Sequence, residues 1–398
     1  MNRSLKVLQV STLDVTVKSF LLPFIDRLTD EGYDVHVACS GGRCVPEIEA
    51  HGVTVHAIPI ERRIRPVSVV RALWSLYRLM KKEHFDIVHV HTPIAATLGR
   101  ISAWAAGVPV VIYTVHGFYF HEYTTKRTRQ LVILTERLLA RITDLVLTVS
   151  QEDAVTAVNE RICDREKLLW VSNGVDTRRF SPRANPAGAR ETLGLGSRDK
   201  LVCFIGRLVR EKGVLDLIEA MRLVAKAIPD AKLLLVGDAL DSDRDQKTKN
   251  IVAELLEQDD IKSHVLLAGY LEDIPRVLAA CDVFVLPSYR EGMPITVIEA
   301  MAAGKPVIAT NIRGCREEVV PNLTGLLVPI NDPEALANAI VALLSNPETA
   351  RRMGAAGRKR ACQLFDEQTV VNRQVQAYAE IAGKQLASHT KKELVYEE

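Results

Sequence analysis

Short apolar runs alternate with longer segments of helical periodicity along most of the chain, and the alternation runs through twice. The runs at 5–10, 35–39, 87–91, 110–115 and 145–149 are dominated by Val, Ile and Leu and are too short for helices. Between them, 19–30, 67–82, 95–106 and 127–142 space their apolar residues three and four apart. Strands that are apolar throughout belong to a parallel sheet covered on both faces, with the helices as crossovers. The pattern restarts with strand-like runs at 201–205, 232–236, 265–268, 283–286 and 306–309, separated by helical segments such as 214–227, 250–258, 294–303 and 333–344. The break falls in 176–200, where Ser181-Pro182, Asn185-Pro186, Gly194 and Gly196 cluster with charge, as in a linker. The expectation is an α/β chain of two doubly wound, Rossmann-like domains facing a central cleft. They are 1–175 and 201–365, joined by the linker 176–200 and followed by a polar helix and tail, 366–398. That helix either packs back on the first domain or ends the second, with fraying expected from Lys391 onward. A length of 398 residues fits two such domains. Ligands of doubly wound sheets lie beyond the carboxyl ends of the strands, so both domains are expected to aim their functional loops at the cleft.

Composition narrows the chemistry. The formal net charge is +2 and aromatic residues are 5%, so neither a strongly basic surface nor a base-stacking platform for nucleic acid is expected. No apolar run reaches the roughly eighteen residues of a spanning helix, and the stretch after Met1 is too short for a signal-peptide core. The seven cysteines form no Cys-x-x-Cys, and no histidines take zinc-finger spacing. Reduced, mostly buried thiols in a cytoplasmic protein are expected, with no metal site.

Strand one is followed by Ser11-Thr12-Leu13-Asp14-Val15-Thr16-Val17-Lys18, without the glycines of a dinucleotide fingerprint, and no Walker sequence occurs anywhere. Dehydrogenases and P-loop enzymes are disfavoured accordingly. The first strand of the second half instead runs into Gly206-Arg207-Leu208-Val209-Arg210-Glu211-Lys212-Gly213. Gly206 lets the chain turn off the strand. Arg207 and Lys212 offer a forked guanidinium and a mobile ammonium, as a diphosphate requires. Two solvated loop cations are the competing reading.

After the run 283–286 comes Pro287-Ser288-Tyr289-Arg290-Glu291-Gly292-Met293-Pro294-Ile295-Thr296-Val297-Ile298-Glu299. Pro294 suits a first helical position, since its missing N–H costs nothing there. The two glutamates then bracket a helix N-terminus and lie at most ~12 Å apart along a fully helical path. A phosphate there meets free N–H groups and the positive end of the helix dipole, while the carboxylates accept hydroxyls on either side. Ordinary surface acids are the alternative. In the first half, 110–115 leads into His116-Gly117, where His116 is placed to hydrogen-bond a sugar hydroxyl or simply to satisfy loop backbone.

Residues 61–141 are rich in cations, among them Arg62, Arg63, Arg65, Arg71, Arg78, Arg100, Arg127, Arg129, Arg137 and Arg141. They are set against only Glu61, Glu83, Asp86, Glu122 and Glu136. Such an excess fits an anionic membrane surface or a diphosphate-bearing lipid, or is a solvated face of core-packing helices.

Four runs taken together resemble glycosyltransferase family 4, the retaining nucleotide-sugar enzymes of the GT-B fold. They are Glu291-Gly292-Met293-Pro294-Ile295-Thr296-Val297-Ile298-Glu299, Gly206-Arg207 with Lys212-Gly213, Ser172-Asn173-Gly174-Val175-Asp176, and Gly304-Lys305-Pro306-Val307-Ile308-Ala309. The likeness extends from Val7 to about Phe365. It departs where many members carry a glycine-rich loop after strand one and this chain has Asp14 to Lys18. The loop from His116 to Glu122 is similar to members that build capsule or exopolysaccharide repeats on a polyprenyl-diphosphate lipid.

The resemblance implies roles. Glu291 would contact the donor sugar and Glu299 the ribose. The backbone of Gly292, Met293, Pro294, Ile295 and Thr296 would hold the phosphates and sugar. Arg207 and Lys212, beside Gly206, would neutralise the leaving nucleoside diphosphate. His116 would touch the sugar, Leu271 in the 269–271 loop would meet the base, and Asn173 would stand among the substrate-binding residues. No metal or other cofactor is implied. The implied reaction moves a hexose or N-acetylhexosamine from a nucleotide sugar, expected to be UDP-linked, to an acceptor hydroxyl. A saccharide or lipid-linked acceptor at the inner face of the plasma membrane is the expected partner. A nucleotide-sugar epimerase of the same architecture and a non-catalytic membrane-surface scaffold are the rival readings.

Overall fold

The structure, a computed structural model, describes residues 3–62, 65–182, 186–196, 198–239, 243 and 245–396. The chain divides into two units: Met1–Ser172 with Val370–Glu398, and Asn173–Thr369.

The first unit is built on a seven-stranded sheet: β1 (Lys6–Leu13), β2 (Asp34–Ser40), β3 (Thr54–Ala57), β4 (Ile87–Val90), β5 (Val110–Val115), β6 (Leu145–Thr148) and β7 (Leu168–Trp170). The spatial order is β3-β2-β1-β4-β5-β6-β7, and each neighbouring pair is parallel. Both faces are covered, and the side-chain period of two assigns adjacent residues to opposite cores. Val7, Ile87 and Ile112 pack on one face with Ile25, Val37 and Tyr378, whereas Leu8, Val88 and Tyr113 pack on the other with Leu76 and Met80. Tyr378 lies on the last helix, Glu367–Tyr396, so that helix from Val370 onward closes the first unit's sheet. It continues through the segment expected to fray; positions 397 and 398 lie outside the described residues.

The second unit carries six strands: β8 (Lys200–Ile205), β9 (Ala231–Val236), β10 (Val265–Gly269), β11 (Val283–Leu286), β12 (Val307–Thr310) and β13 (Gly325–Val328). Their order is β10-β9-β8-β11-β12-β13, again parallel throughout. The order reverses between β1 and β4 in the first unit and between β8 and β11 in the second. Connections depart to opposite sides at such a point, which opens a crevice at the strand ends.

Three local expectations change. The segment after β1 is no loop: helical structure starts at Asp14 and passes through a π-helical turn, Val17–Leu21, into the helix Leu22–Asp30. Asp14 is buried there, accepting from the N–H of Cys44 at 2.7 Å and of Val15 at 2.9 Å. The linker expected at 176–200 belongs to the second unit and contains the helix Pro186–Thr192; Asn185 is outside the described residues. The second unit takes the chain from Asn173 because Val175 bridges Asp366, with the Val175 N–H donating to Phe365 O and the Glu367 N–H to Val175 O. The short strands β3, β7 and β13 are not among the expected ones; all three are sheet edges whose residues are mostly half-buried, unlike the fully buried four-residue strands β4, β6, β11 and β12.

All seven cysteines are free. Cys39, Cys44, Cys203, Cys281 and Cys315 are buried, but Cys163 is half-buried and Cys362 exposed.

Candidate active site

In the second unit, adjacency of β8 and β11 brings the loops that follow them together. The 206–213 loop ends in a 3-10 turn, Arg210–Lys212, before the helix Val214–Ala227. Gly213 has φ +69°, and a side chain there would come 2.0 Å from Pro287 O, so only glycine lets the two loops touch. The Tyr289 N–H donates to Glu211 O at 2.8 Å, and its hydroxyl donates to Asp216 at 2.8 Å. Arg290 pairs with Glu211 at 2.6 Å.

Lys212 Nζ stands 2.6 Å from Glu291 Oε1, with side chains 19% and 10% exposed. The two residues singled out separately for phosphate and sugar are thus one ion pair. Arg207 has a different partner. It pairs with the buried carboxylate of Asp243, a residue the sequence reading missed. The only signal was the acid-rich stretch from Asp238 to Asp245. Asp245 belongs to the same set and accepts from the Arg210 N–H at 2.7 Å. Gly206 ends β8, its N–H donating to Val236 O at 2.9 Å.

The helix of the glutamate pair is Ile295–Ala302, so Pro294, expected as the first helical residue, is instead the N-cap one position before it. With φ −75° and ψ 109° it is still extended, and its own side chain makes no capping hydrogen bond. Glu299 lies in the helix's second turn and is half-buried. Burial pushes its carboxyl up to about 8, with Arg179 opposing the shift. Gly292, Met293, Ile295 and Thr296 form the approach and first turn. Asn173 holds this approach in place: its Nδ2 donates to Met293 O at 2.8 Å, and its backbone N–H to Met293 Sδ at 3.4 Å. Its observed part is therefore to shape the 291–294 loop. From the other side Gly314, with φ +82°, lies so close that a Cβ would sit 2.4 Å from Gly292 O.

Behind the pair, Glu318 is fully buried, and among the described residues neither carboxyl oxygen has a hydrogen-bond partner. Burial holds it well above the usual carboxyl range, reinforced by Glu291 and Glu317 and opposed by Arg360 and Lys212. Leu271 is half-buried just past β10, and Lys305 is structural, its ammonium donating to Ala279 O and Cys281 O.

In the first unit, His116 follows β5, half-buried, with its Nε2 3.2 Å from His91 Nδ1. Burial pushes its imidazole down to about 4, so the ring is neutral near pH 7. The cation-rich face needs one correction. Arg100 is 1% exposed, bonded to Glu136 at 3.0 Å and stacked 4.1 Å from the Tyr113 ring centroid, so it belongs to the core. Arg129 pairs with Glu160, and Arg63 is outside the described residues.

Two family descriptions divide the chain between them. "Glycosyltransferase Family 4" matches residues 18–179, and "Glycosyl transferases group 1" matches residues 188–360. The chain is 33% identical over 329 residues to the UDP-Gal:alpha-D-GlcNAc-diphosphoundecaprenol alpha-1,3-galactosyltransferase of Escherichia coli, covering 82% of this chain and 84% of that one. It is 27% identical over 355 residues to the capsular polysaccharide biosynthesis glycosyltransferase CapM of Staphylococcus aureus, covering 87% and 90%. Among solved structures, Anabaena HepE in complex with UDP and glucose superposes with a TM-score of 0.80 at 21% identity, over 94% of this chain and 99% of that one. Nothing in these likenesses points to an epimerase or a scaffold. With its two parallel-sheet units and its paired lysine and glutamate at a helix tip, the chain belongs to glycosyltransferase family 4 and is a glycosyltransferase of the GT-B fold.

Proposed function

We propose that this enzyme transfers a hexose or N-acetylhexosamine, with retention, from a UDP-sugar to a hydroxyl of a polyprenyl-diphosphate-linked saccharide in surface polysaccharide synthesis. The Lys212–Glu291 pair at the N-terminal tip of the Ile295–Ala302 helix carries the proposal. The bond between sugar C1 and the phosphate oxygen breaks while the acceptor oxygen bonds to C1 on the same face. The acceptor proton passes to the departing phosphate oxygen. Negative charge grows on the diphosphate, and Lys212, the remaining N–H groups of Arg207 and the first-turn N–H groups of the helix answer it. These groups supply the charge a metal would otherwise bring, so transfer is proposed to be metal-independent. Glu291 binds sugar hydroxyls, Glu299 the ribose, and neutral His116 a further sugar hydroxyl. Leu271 lies against the base.

The names of the relatives support the donor and the acceptor class. The test is a panel of UDP- and GDP-sugars offered with a polyprenyl-diphosphate saccharide in the presence of EDTA. Acceptor-dependent release of UDP, and an α-linked product from an α-linked donor, are expected. Release of UDP with inversion, or turnover that requires added metal, contradicts the proposal.

We also propose peripheral contact with an anionic membrane at the cytoplasmic face. No helix among the described residues is long and apolar enough to cross a membrane. The first unit nevertheless exposes Trp74 (58%) on the helix Pro66–Glu83, Trp104 (65%) on Pro93–Ala106 and Leu131 (65%) on Lys126–Ala140. Lys81, Lys82 and Arg127 belong to the same helices. Apolar side chains set among cations are the composition of an interfacial surface. Trp74→Ser with Trp104→Ser should abolish co-sedimentation with phosphatidylglycerol vesicles. Unchanged binding contradicts the assignment.

A further inference from the structure

Three polar side chains inside the first unit, Tyr378, Gln9 and His91, form an unbroken path to His116. Gln9 Nε2 donates to Tyr378 Oη at 3.0 Å, and Gln9 Oε1 lies 2.8 Å from His91 Nε2. His91 Nδ1 lies 3.2 Å from His116 Nε2. A branch runs from Tyr378 Oη to His89 Nδ1 at 2.6 Å, and from His89 Nε2 to Thr114 Oγ1 at 2.7 Å. Gln9, His89, His91 and Tyr378 are all buried, and burial holds both histidines well below the usual imidazole range, so each ring carries one proton.

That single proton per ring sets the direction of every bond. The amide oxygen of Gln9 can only accept, so the proton of His91 is on Nε2 and its Nδ1 is bare. A bare Nδ1 accepts, so His116 carries its proton on Nε2. At the other end, the phenol receives the Gln9 amide proton and gives its own to His89 Nδ1. His89 then holds its proton on Nε2, directed at Thr114.

We infer that the carboxyl-terminal helix sets the tautomer of His116: Tyr378, acting through Gln9 and His91, keeps the proton on His116 Nε2 and leaves Nδ1 as a bare acceptor. Tyr378, Gln9 and His91 are positioning residues. The consequence for catalysis rests on the proposed contact between His116 and the donor sugar, in which the sugar hydroxyl then donates and the imidazole receives. The helix crosses from the second unit to the first near Thr369, so a residue more than 250 positions along the chain governs the hydrogen-bonding sense of the first-unit site.

The direct readout is the nitrogen–carbon-proton correlation spectrum of the intact, histidine-labelled protein without substrate. The Nε2–H pattern is expected for His116 and His91. An Nδ1–H pattern at His116 reverses every bond and overturns the inference. Tyr378→Phe removes the acceptor that orients the Gln9 amide. It is expected to give mixed tautomers at His116 and to lower kcat about tenfold, with the donor KM changed less than about twofold. Gln9→Leu breaks the same path one step nearer and should do likewise. If either folded variant keeps the parent tautomer at His116, the relay is refuted. His116→Ala distinguishes the two claims: unchanged transfer beside the expected tautomer removes the sugar contact and leaves the relay standing.

Discussion

Lys212→Ala separates what the lysine does for the fold from what it does for the reaction. The ammonium lies 2.6 Å from Glu291, and the carboxylate side chain is 10% exposed. Removing one member of a buried pair costs about 3–5 kcal/mol, because the other charge is left without its counter-ion. Some solvent reaches both groups here, so about 2 kcal/mol is expected, which lowers the melting temperature of a unit this size by roughly 4–8 °C. The kinetic loss is larger. A preorganised donor facing a developing oxyanion contributes about 100- to 1,000-fold to kcat. The double variant Lys212→Ala/Glu291→Gln removes the stranded charge, so it should regain most of the lost melting temperature while turnover stays low. The assays are thermal unfolding without nucleotide and release of nucleoside diphosphate with donor and acceptor. The reasoning is refuted if Lys212→Ala keeps kcat within about threefold of the parent, or if the double variant recovers turnover together with stability.

Three further outcomes follow from the same geometry. Gly314→Ala places a Cβ 2.4 Å from Gly292 O at a φ of +82°, so denaturant unfolding should register a loss of more than about 1 kcal/mol, with donor KM raised as the 291–294 loop shifts. The Glu299 carboxyl is raised from its unfolded value to about 8, so its contribution to stability is complete below about pH 4.5 and fades as pH climbs to 8. Melts of Glu299→Gln should therefore match the parent at low pH and exceed it increasingly up to pH 8; a gap that narrows as pH rises contradicts this sign. Arg100→Met should destabilise by about 3–5 kcal/mol in urea, because it strands Glu136 beside Tyr113, whereas a change below about 1 kcal/mol would return Arg100 to the solvated face.

Hydrophobic period and turn chemistry were enough to read the twofold α/β pattern, most of the strands and the loops at their carboxyl ends. The spacing of Glu291 and Glu299 across a helix start could also be read, because backbone periodicity is a local property of neighbouring residues. The partners could not be read. Lys212 meets Glu291 because the sheet order sets β8 beside β11, Arg207 meets Asp243 because β9 lies on the other side of β8, and Asn173 meets Met293 across 120 residues of chain. The same holds for the path from Tyr378 to His116, whose members come from β1, the end of β4 and a helix hundreds of residues later. The sequence by itself determined which segments become strands and helices and which residue types reach the loops. The tertiary structure decided which charge faces which and where a proton resides, since hydrogen bonds and ion pairs act over a few ångströms of space regardless of separation along the chain.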